Sequence, residues 1–487
     1  MTITVPVEIN NKKVNNFSEM EEYVFQLSMR FGQELLKQVL EITDQKLMAE
    51  RDTERYRCKG KRATHLKTKM GEVTYARQVY LDQEAEGGKK YVYLLDKELN
   101  IEKIGRTSRG LCEMVADTIC ESTYRATARQ IREQTAQYMS HQHAWMLVQQ
   151  MGEKIEKHYE RQAELDALDA GVGELVTKIL YEENDGIWLS LQGPSREQYG
   201  KAKEMKVGIA YDGVTWKEGK NGKKRRTLHN KLAIAGFLPI DAYRKQKEGL
   251  IASIFRKDEI ELRVFNGDGA SWTLPRQTEG RICVLDEFHR NKKILECVKD
   301  KAFAKLIRDN LYAGEIDQVL VLIEAQYNSV MEEDEKAKLA ELLQYYSRNR
   351  DALKGYYDRG IRIPETSKPG EIHHARLGSM ESNVFSLIGN RMKDRRFNWS
   401  VNGANHLAAL LCAYHTTGLN HLFDALPEIP VIETVEEWVD TGTPLSARQS
   451  KETEGSGYEY YKNISTTNLT NMLKEISHYT SLSEISL

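Results

Sequence analysis

The chain contains 487 residues, of which 40% are hydrophobic and 29% are charged, and this composition predicts a soluble protein with a buried core and about two to four domains. The net charge of −2 conceals two basic segments, 51–80 with nine Lys/Arg against three acids and 217–226 with six against one. Six scattered cysteines without a Cys-x-x-Cys pair argue against a zinc ribbon and a disulfide scaffold, and the longest apolar run (407–414) is too short to cross a bilayer. No signal peptide is visible, so we expect a cytoplasmic protein.

The first hundred residues predict a helix followed by a small basic sheet. Residues 17–50 carry apolar side chains at helical spacing. Residues 51–100 become basic and contain Tyr and Thr, and 64–69 and 73–81 are predicted to be short antiparallel strands. This region either lies on a phosphate backbone or is a connector with a basic surface, and the sequence leaves both open.

A helix-turn-helix is predicted next. One helix is expected over 112–120 and a second over 123–135, with Ser122 as its N-cap. After a short break, Ser140 is expected to cap a further helix over 141–151. This order is typical of DNA-binding proteins whose last helix enters the major groove, although helical hairpins are also common in proteins with other functions.

DNA contacts are therefore expected from basic and polar side chains in four places: the basic sheet, the helix-turn-helix, the segment 217–226 and the region after 390. Each basic run, taken alone, is more often a solvated loop. The candidate DNA-binding residues are Lys59, Lys61, Arg62, Arg125, Arg129, Arg132, His141, Gln142, Lys223, Lys224, Arg225, Arg226, Arg391, Lys393, Arg396 and Trp399.

From residue 176 the apolar period changes from that of a helix to that of a strand. Strands are predicted at 176–191, 206–211, 228–238, 261–265 and 281–285, with a helix over 243–255 and a basic hairpin over 217–226. The order β-β-β-α-β-α-β-α is the topology of ribonuclease H-like nucleases, in which strands one and four touch. Asp185 lies on the first predicted strand, and Asp268 ends the fourth in the turn Gly267-Asp268-Gly269, which by itself also fits a plain tight turn.

Carboxylates on neighbouring strands suit phosphoryl transfer. Two Mg²⁺ ions about 4 Å apart can clamp the attacking and leaving oxygens of an in-line displacement. Mg²⁺ prefers oxygen ligands, and the bound metal offsets the repulsion between clustered carboxylates.

Helices are predicted over 301–311, 315–330, 334–346 and 351–360, which we interpret as an insertion into the core. A helix over 380–393 follows, with Ser379 as its N-cap and Glu381 in its first turn, where a carboxylate could act as a mere capping acid or as a metal ligand. A last apolar helix is expected over 403–414. The tail carries only a weak helical pattern, over 468–479, and no assigned function.

The predicted organisation has seven parts. They are an N-terminal helical segment (1–50), a basic β region (51–100), a helix-turn-helix region with linker (101–173), the first part of an α/β core of ribonuclease H-like fold (174–299), an α-helical insertion (300–372), the last helices of the core (373–423) and a C-terminal tail (424–487).

Four motifs in one order carry a resemblance to a known family. They are Asp-Gly-Ile-Trp-Leu-Ser-Leu-Gln (185–192), Gly-Asp-Gly-Ala-Ser-Trp (267–272), Leu-Asp-Glu-Phe-His (285–289) and Gly-Ser-Met-Glu-Ser-Asn (378–383). This series resembles bacterial insertion-sequence transposases of the ISLre-two type, related to the Mutator-like group. The resemblance extends from the basic region near 50 to the helix that ends near 415.

The resemblance implies a DDE transposase that binds the ends of its own mobile element, cleaves DNA and transfers the strand. By position, Asp185, Asp268 and Glu381 would be the catalytic and metal-binding triad, with two Mg²⁺ ions, or Mn²⁺ as a substitute. Asp286 and His289 match a Cys/Asp-x-x-His motif of the Mutator-like group and would assist the site. The expected partners are element-end and target DNA and, by analogy, a second copy of the chain.

Alternatives remain at this stage. Asp286, which also ends a strand, is the rival of Asp268, and Asp212 is a weaker rival of Asp185 because Asp-Gly after a strand is a strong hairpin signal. A ribonuclease H-like enzyme that only hydrolyses, or a catalytically inactive DNA-binding descendant, would share most of these features.

Overall fold

The computed structural model describes residues 16–85, 88–169, 173–218, 222–394 and 397–423. The chain divides into two compact units, Met1–Phe31 with Pro430–Leu487, and Gly32–Ile429. Helix α1 (Phe17–Glu50) begins in the first unit and confirms the predicted range 17–50. The predicted tail helix and Arg396 lie outside the described residues.

A five-stranded sheet follows α1. Its elements are β1 (Tyr56–Thr68), β2 (Gly71–Asp82), β3 (Lys90–Val92), helix α2 (Leu94–Glu98), β4 (Lys103–Ile104) and β5 (Thr107–Ser108), with strand order β3-β2-β1-β5-β4. The predicted antiparallel pair is confirmed as β1–β2, with longer strands than expected. Leu40 of α1 packs against Leu66, Val73 and Tyr75 of this pair, which fixes the second half of the helix on the sheet.

Three helices come next, and these are α3 (Arg109–Glu121), α4 (Tyr124–Gln134) and α5 (His141–Ala167). The Ser140 side chain accepts the His143 amide (3.1 Å), so the predicted cap of α5 is confirmed. The predicted Ser122 cap is wrong: Thr123 accepts the Ala126 amide (3.2 Å), whereas Ser122 donates back to the Thr118 carbonyl (2.8 Å) at the end of α3. Helix α5 also continues past the predicted end at 151.

The central sheet occupies the middle of the chain. Its region contains β6 (Ile179–Leu191), α6 (Gly193–Tyr199), β7 (Ala202–Tyr211), the hairpin β8 (Gly213–Glu218) and β9 (Lys224–His229), then β10 (Leu232–Gly236), α7 (Ile240–Ala252), β11 (Leu262–Gly267) and β12 (Arg281–Leu285). The strand order is β10-β7-β6-β11-β12. Strand β7 is antiparallel to both of its neighbours, β10 and β6, and β11 and β12 run parallel to β6.

The predicted third strand, 228–238, is divided between the end of β9 and β10, because Asn230 between them adopts a left-handed φ of +46° and interrupts the strand. Asparagine tolerates this backbone region better than most residues. The predicted basic hairpin is confirmed as β8–β9.

Helices between β12 and residue 350 form a second apolar core. They are α8 (Glu287–Cys297), α9 (Lys301–Tyr312), α10 (Ile316–Ser329) and α11 (Glu333–Arg348). Ile307, Val319 and Leu342 of this layer pack with Phe265 and Leu285 of the sheet. The predicted helix over 351–360 is instead two 3₁₀ turns, Arg350–Leu353 and Tyr356–Arg359. They are separated at Gly355, and Gly360 ends the second turn with a φ of +66°.

The last described elements return to the sheet. They are α12 (Met380–Val384), a π-helical turn (Phe385–Gly389), α13 (Asn390–Met392), β13 (Asn398–Trp399), which pairs with β6, and α14 (Val401–His415). Helix α14 is buried on nearly all sides, as expected for an apolar helix between layers. It packs against α5 and β10, so α5 is part of the core packing and not only a connector.

A buried ionic network joins β6, β11 and α7 on one face of the sheet. The guanidinium of Arg263 binds Glu182 (2.6 Å) and Glu248 (2.7 Å), and the Lys247 ammonium lies 2.9 Å from Glu182. Burial acts to raise the pKa of Glu248, but the charge and hydrogen bonds of Arg263 outweigh it and lower that pKa to about 2. Glu182 is almost fully buried, so it depends on these two cations.

We expect Arg263→Leu to lower the free energy of unfolding by about 3 kcal/mol, because Glu182 would keep only Lys247. Urea unfolding followed by circular dichroism measures this change. The matched control is Arg281→Leu, which replaces the exposed arginine opposite Arg263 in β12 and should change stability by less than about 0.5 kcal/mol. Equal effects of the two substitutions would contradict the network's role.

Candidate active site

The parallel pairing of β6 and β11 brings two predicted carboxylates to one place. In this ladder Asn266 lies opposite Glu183. Asp185 follows Glu183 by two residues and Asp268 follows Asn266 by two, so the register, continued past the end of β11, sets the two aspartates side by side. Residues distant in the sequence thus meet on neighbouring strands.

The turn after β11 holds Asp268 firmly. Its carboxylate Oδ1 accepts the Ala270 amide (3.0 Å) and the Thr273 hydroxyl (2.9 Å). Gly269 has a φ of +89°, a conformation that favours glycine. The Asp268 carbonyl accepts the Tyr345 hydroxyl (2.6 Å) from α11. The Gly-Asp-Gly segment therefore forms a tight turn and also holds the Asp268 carboxylate in a fixed position.

Asp286 and His289 form the neighbouring part of the site. Asp286 is the N-cap of α8, and its Oδ1 accepts both the His289 amide and the His289 Nδ1–H (3.1 Å each). Its Oδ2 accepts the Asn266 amide (3.0 Å). The Asp286 backbone amide donates to the Gly267 carbonyl (2.8 Å), so the rival carboxylate lies next to the Asp268 turn.

These acids share one electrostatic environment. Burial raises the pKa of Asp185, and the negative charges of Asp268 and Asp286 raise it further, while His289 and the Gly186 amide oppose the shift. The hydrogen bond that His289 donates to Asp286 raises the pKa of His289, and the charge of Asp185 adds to this rise, while burial opposes it. The charges of Asp268 and Asp286 are therefore close enough to influence the pKa values of Asp185 and His289.

Glu183 is the structural centre of this region. Its two oxygens accept hydrogen bonds from the Tyr211 hydroxyl (2.6 Å), the Asn266 amide (3.0 Å) and the backbone amides of Gly378 and Ser379 (2.9 Å each). Burial raises the pKa of Glu183, and the four donors oppose that shift. One buried carboxylate thus ties β6, β7, β11 and the start of α12 together.

Glu381 lies in the first turn of α12 and is exposed. The predicted capping bond of Ser379 is wrong. The Ser379 hydroxyl accepts a hydrogen bond from the Arg226 guanidinium (2.7 Å) and none from a backbone amide of α12. Within the described ranges, no group of three His, Cys, Asp or Glu side chains is arranged to hold a metal ion. Glu381 is attached to the site through the α12 backbone rather than through its own side chain.

Several contributors were not predicted from the sequence. Glu183 and Asn266 have ordinary strand positions, and only the tertiary contacts reveal their role. Glu204 of β7 is a further acid near the site. Burial is the main cause of its raised pKa, and the charges of Asp268 and Asp185, which lie close enough to act on it, raise the pKa further. Its side chain covers Gly186, where a Cβ atom would clash with it.

Asp212, the weaker rival of Asp185, has a different setting. It is buried and accepts hydrogen bonds from His229 Nδ1 (2.7 Å) and the Asn230 side chain (3.1 Å). These bonds join the residue that follows β7 to the last residue of β9 and to the residue after it. The surroundings of Asp212 are those of a structural carboxylate.

Most candidate DNA-binding residues lie on the surface. Those with exposed side chains are Lys59, Lys61, Arg62, Arg125, Arg129, Arg132, His141, Gln142, Lys223, Lys224, Arg225 and Lys393. The basic sheet and α5 are linked by a contact of 3.2 Å between the Lys67 ammonium and His143 Nδ1. Arg226 is partly buried and donates to Ser379 and to the Arg376 carbonyl (2.9 Å).

Arg391 and Trp399 are buried and have packing roles. The Arg391 guanidinium donates to the Ile119 carbonyl (2.8 Å) and lies between the rings of Tyr124, Phe397 and Trp399. The Trp399 indole donates to the Met392 carbonyl (2.9 Å). This cluster fixes α13 and β13 against α3 and α4.

Comparison with known proteins gives the chain a family. The sequence profile of UPF0236, described as an uncharacterised protein family, matches residues 10–422. The chain belongs to the UPF0236 family. The match includes every element of the site described above and ends close to the last described residue.

UPF0236 relatives occur in two organisms among the similar proteins. A UPF0236 protein of Caldanaerobacter subterraneus subsp. tengcongensis, whose name joins eleven locus labels, is 23% identical over 401 residues, which cover 81% of this chain and 77% of the relative. A UPF0236 protein from a vanSb 3′ region of Streptococcus gallolyticus is 25% identical over 427 residues, which cover 85% of this chain and 86% of the relative. No helix within the described part of this UPF0236 chain is long and apolar enough to cross a membrane.

We expect Glu183→Gln to lower the free energy of unfolding by about 2 kcal/mol. Glutamine keeps the shape, but its amide N–H₂ cannot accept hydrogen bonds, so either the Tyr211 hydroxyl or the backbone amides of Gly378 and Ser379 lose their acceptor. Chemical denaturation measures the loss, and Glu381→Gln, at an exposed position, is the control that should leave stability unchanged. A Glu183→Gln variant as stable as the wild type would show that the four bonds contribute little.

We expect Asp286→Asn to lower the pKa of His289, because it removes the hydrogen-bonded carboxylate that is the main cause of the raised value. Histidine NMR titration of both proteins checks this. In the wild type the ion pair of His289 and Asp286 stabilises the fold fully at pH values between the ordinary aspartate pKa and the ordinary histidine pKa. That contribution is lost as the pH rises through the His289 pKa or falls through the lowered Asp286 pKa. An unchanged His289 titration in the variant would rule out the coupling.

Proposed function

We propose that this chain is a DDE transposase with a ribonuclease H-like core, which binds the ends of its insertion sequence, cleaves DNA and transfers the strand. The strand order β10-β7-β6-β11-β12, with the first three strands antiparallel and the last two parallel to β6, supports this assignment. If β6, β7, β10, β11 and β12 are numbered one to five along the chain, the order across the sheet is 3-2-1-4-5, in which strands one and four are neighbours. The helices α9 to α11 would be the insertion that precedes the third carboxylate.

The observation that carries the proposal is the meeting of Asp185 and Asp268 on adjacent parallel strands, with Asp286 and His289 beside them. Burial raises the pKa of Asp185 and the negative charges of Asp268 and Asp286 add to the rise, so the charged form of Asp185 opposes folding unless a ligand compensates for the repulsion. Such clusters are typical of functional sites. A fold stabilised only by packing would gain nothing from placing three aspartates together.

The donor set fits Mg²⁺, with Mn²⁺ as a substitute, in its chemistry. Oxygen ligands are what these hard cations prefer. Among the described residues, Oδ2 of Asp185 and Oδ2 of Asp268 accept no hydrogen bond and are available as ligands. Asp185 and Asp268 would hold the metal and Glu381 would complete the set. When bound, the metal would supply Lewis-acid stabilisation of the transferring phosphoryl group.

The chain's own residues would prepare this site. Thr273 and the Ala270 amide keep Asp268 in place, and Glu183 holds the start of α12 against the sheet. His289, whose pKa is raised, would carry positive charge next to the acids and close to the DNA phosphates. Preorganisation of this kind lowers the cost of reaching the reactive geometry.

The relatives and the surface charges give further support. The name of one relative joins eleven locus labels from a single organism. Many loci in one genome are what we expect for a gene that is carried by a mobile element. The exposed cations of the basic sheet, α4 and the β8–β9 hairpin would neutralise phosphates of the element ends. A dimer on two element ends is part of the proposal.

We expect Asp268→Asn and Asp185→Asn each to reduce strand transfer at least about a hundredfold, since each removes an oxygen ligand from the proposed metal site. Binding of element-end DNA should survive. A joining assay with a labelled element end and a target plasmid, in Mg²⁺, measures the transfer. Asp241→Asn, at an exposed position on α7, is the matched control.

Full transfer by Asp268→Asn would overturn the assignment of the second carboxylate. The same assay applied to Asp286→Asn then tests the rival residue, and Glu381→Gln tests the third ligand. Labelled ends that are cut but never joined would indicate a nuclease that only hydrolyses. Salt-sensitive DNA binding without any Mg²⁺-dependent cleavage would indicate an inactive descendant.

A further inference from the structure

The β8–β9 hairpin is fixed to the segment that leads into α12. At its base Val214 and His373 exchange two backbone hydrogen bonds of 2.9 Å. Further out, Arg226 donates to the Arg376 carbonyl (2.9 Å) and to the Ser379 hydroxyl (2.7 Å). The hairpin and the start of the Glu381 helix are therefore held together by four hydrogen bonds.

Trp216 lies on the face of the hairpin that is turned toward the body of the protein. Side chains alternate along a strand, so Trp216 shares a face with Val214 and with their cross-strand partners Arg226 and Leu228. Val214 is buried and Leu228 packs against the core. Trp216 on this same face is nevertheless 52% exposed. Trp216 lies directly opposite Arg226, the arginine that reaches α12.

Apart from Glu218, the charged side chains in the described part of the hairpin are cationic. Lys217 lies directly opposite Arg225, and both side chains are exposed. Like charges at opposite positions of an antiparallel pair are destabilising, and a polyanion would relieve the repulsion. Lys223 and Lys224 add two further exposed charges. Lys217 and Arg225 lie on the face of the hairpin opposite to Trp216, whereas Lys224 shares the Trp216 face and lies opposite Glu218. The two-stranded hairpin thus combines an exposed aromatic ring on one face with exposed cations on both faces, and this combination binds single-stranded nucleic acid by stacking and phosphate attraction.

We propose that Trp216 stacks on an unpaired nucleobase of the DNA strand whose end is processed at the Asp185–Asp268 site. The inference rests on the proposed function and adds what the hairpin recognises. A paired base inside a duplex offers no free face, so the partner is a single-stranded or frayed end. Arg226 would act as a positioning residue, because its hydrogen bonds place the ring next to the Glu381 helix.

The test uses the full-length wild type, Trp216→Ala, Trp216→Phe and Trp188→Ala. Trp188 is the matched control, since it is also exposed on a strand (58%) but lies on the face of β6 opposite to Asp185. The probes are a single-stranded oligonucleotide and a duplex with a frayed end, each carrying 2-aminopurine. Binding is measured by anisotropy and stacking by quenching of 2-aminopurine, in EDTA and at fixed salt.

We expect Trp216→Ala to bind the single strand about tenfold more weakly and to lose the quenching, as removal of one stacked base predicts. Trp216→Phe should keep most of both signals and Trp188→Ala should match the wild type. Circular dichroism shows that each variant is folded. Wild-type binding and quenching in Trp216→Ala would overturn the inference, as would equal losses in Trp188→Ala.

A parallel Mg²⁺ cleavage assay separates this inference from the proposed function. Quenching that depends on Trp216 in a wild type that never cleaves DNA would support stacking and overturn the transposase proposal. Cleavage by the wild type with unaltered binding by Trp216→Ala would overturn the stacking inference alone.

Discussion

The carboxylate of Glu183 is the interaction on which the site region depends. An ionised carboxylate in the interior is tolerated only when hydrogen bonds replace the lost water. Glu183 receives four such bonds from separate parts of the chain, two of them from the backbone just before α12. The position of α12 relative to the sheet is therefore set by a polar contact, whereas α14 packs on α5 through apolar side chains together with a contact of His406 with Gln149 and Glu156.

A second polar arrangement lies on the other face of the same strand. Glu182 and Glu183 are consecutive, so their side chains point to opposite faces of β6, one toward Arg263 and Lys247 and the other toward α12. At these two positions the central strand is thus bound on both faces by buried carboxylates. Buried polar groups of this kind require complete pairing, and they specify which elements may pack there.

Much of the fold could be predicted because it follows local pattern. The helical spacing of 17–50 and the apolar alternation around Asp185 and Asp268 gave element types that the structure confirms. The adjacency of the first and fourth strands followed from their order. What could not be predicted was long-range hydrogen bonding: the partners of Glu183, the use of the Ser379 hydroxyl by Arg226, and the burial of Arg391 among aromatic rings. A sequence shows that an arginine is charged, but not whether a neighbouring element covers it.

The contact between Tyr345 and the Asp268 carbonyl has a consequence for how such chains can evolve. Helix α11 also brings Asn349 against Gly269, where a Cβ atom would approach the amide to within 2.9 Å. The helical insertion is thus a buttress for the turn that carries an acidic residue of the site. Shortening or exchanging these helices would leave that turn without its support. Sequence changes in these helices are therefore limited by the need to support the Asp268 turn, which lies far away in the sequence.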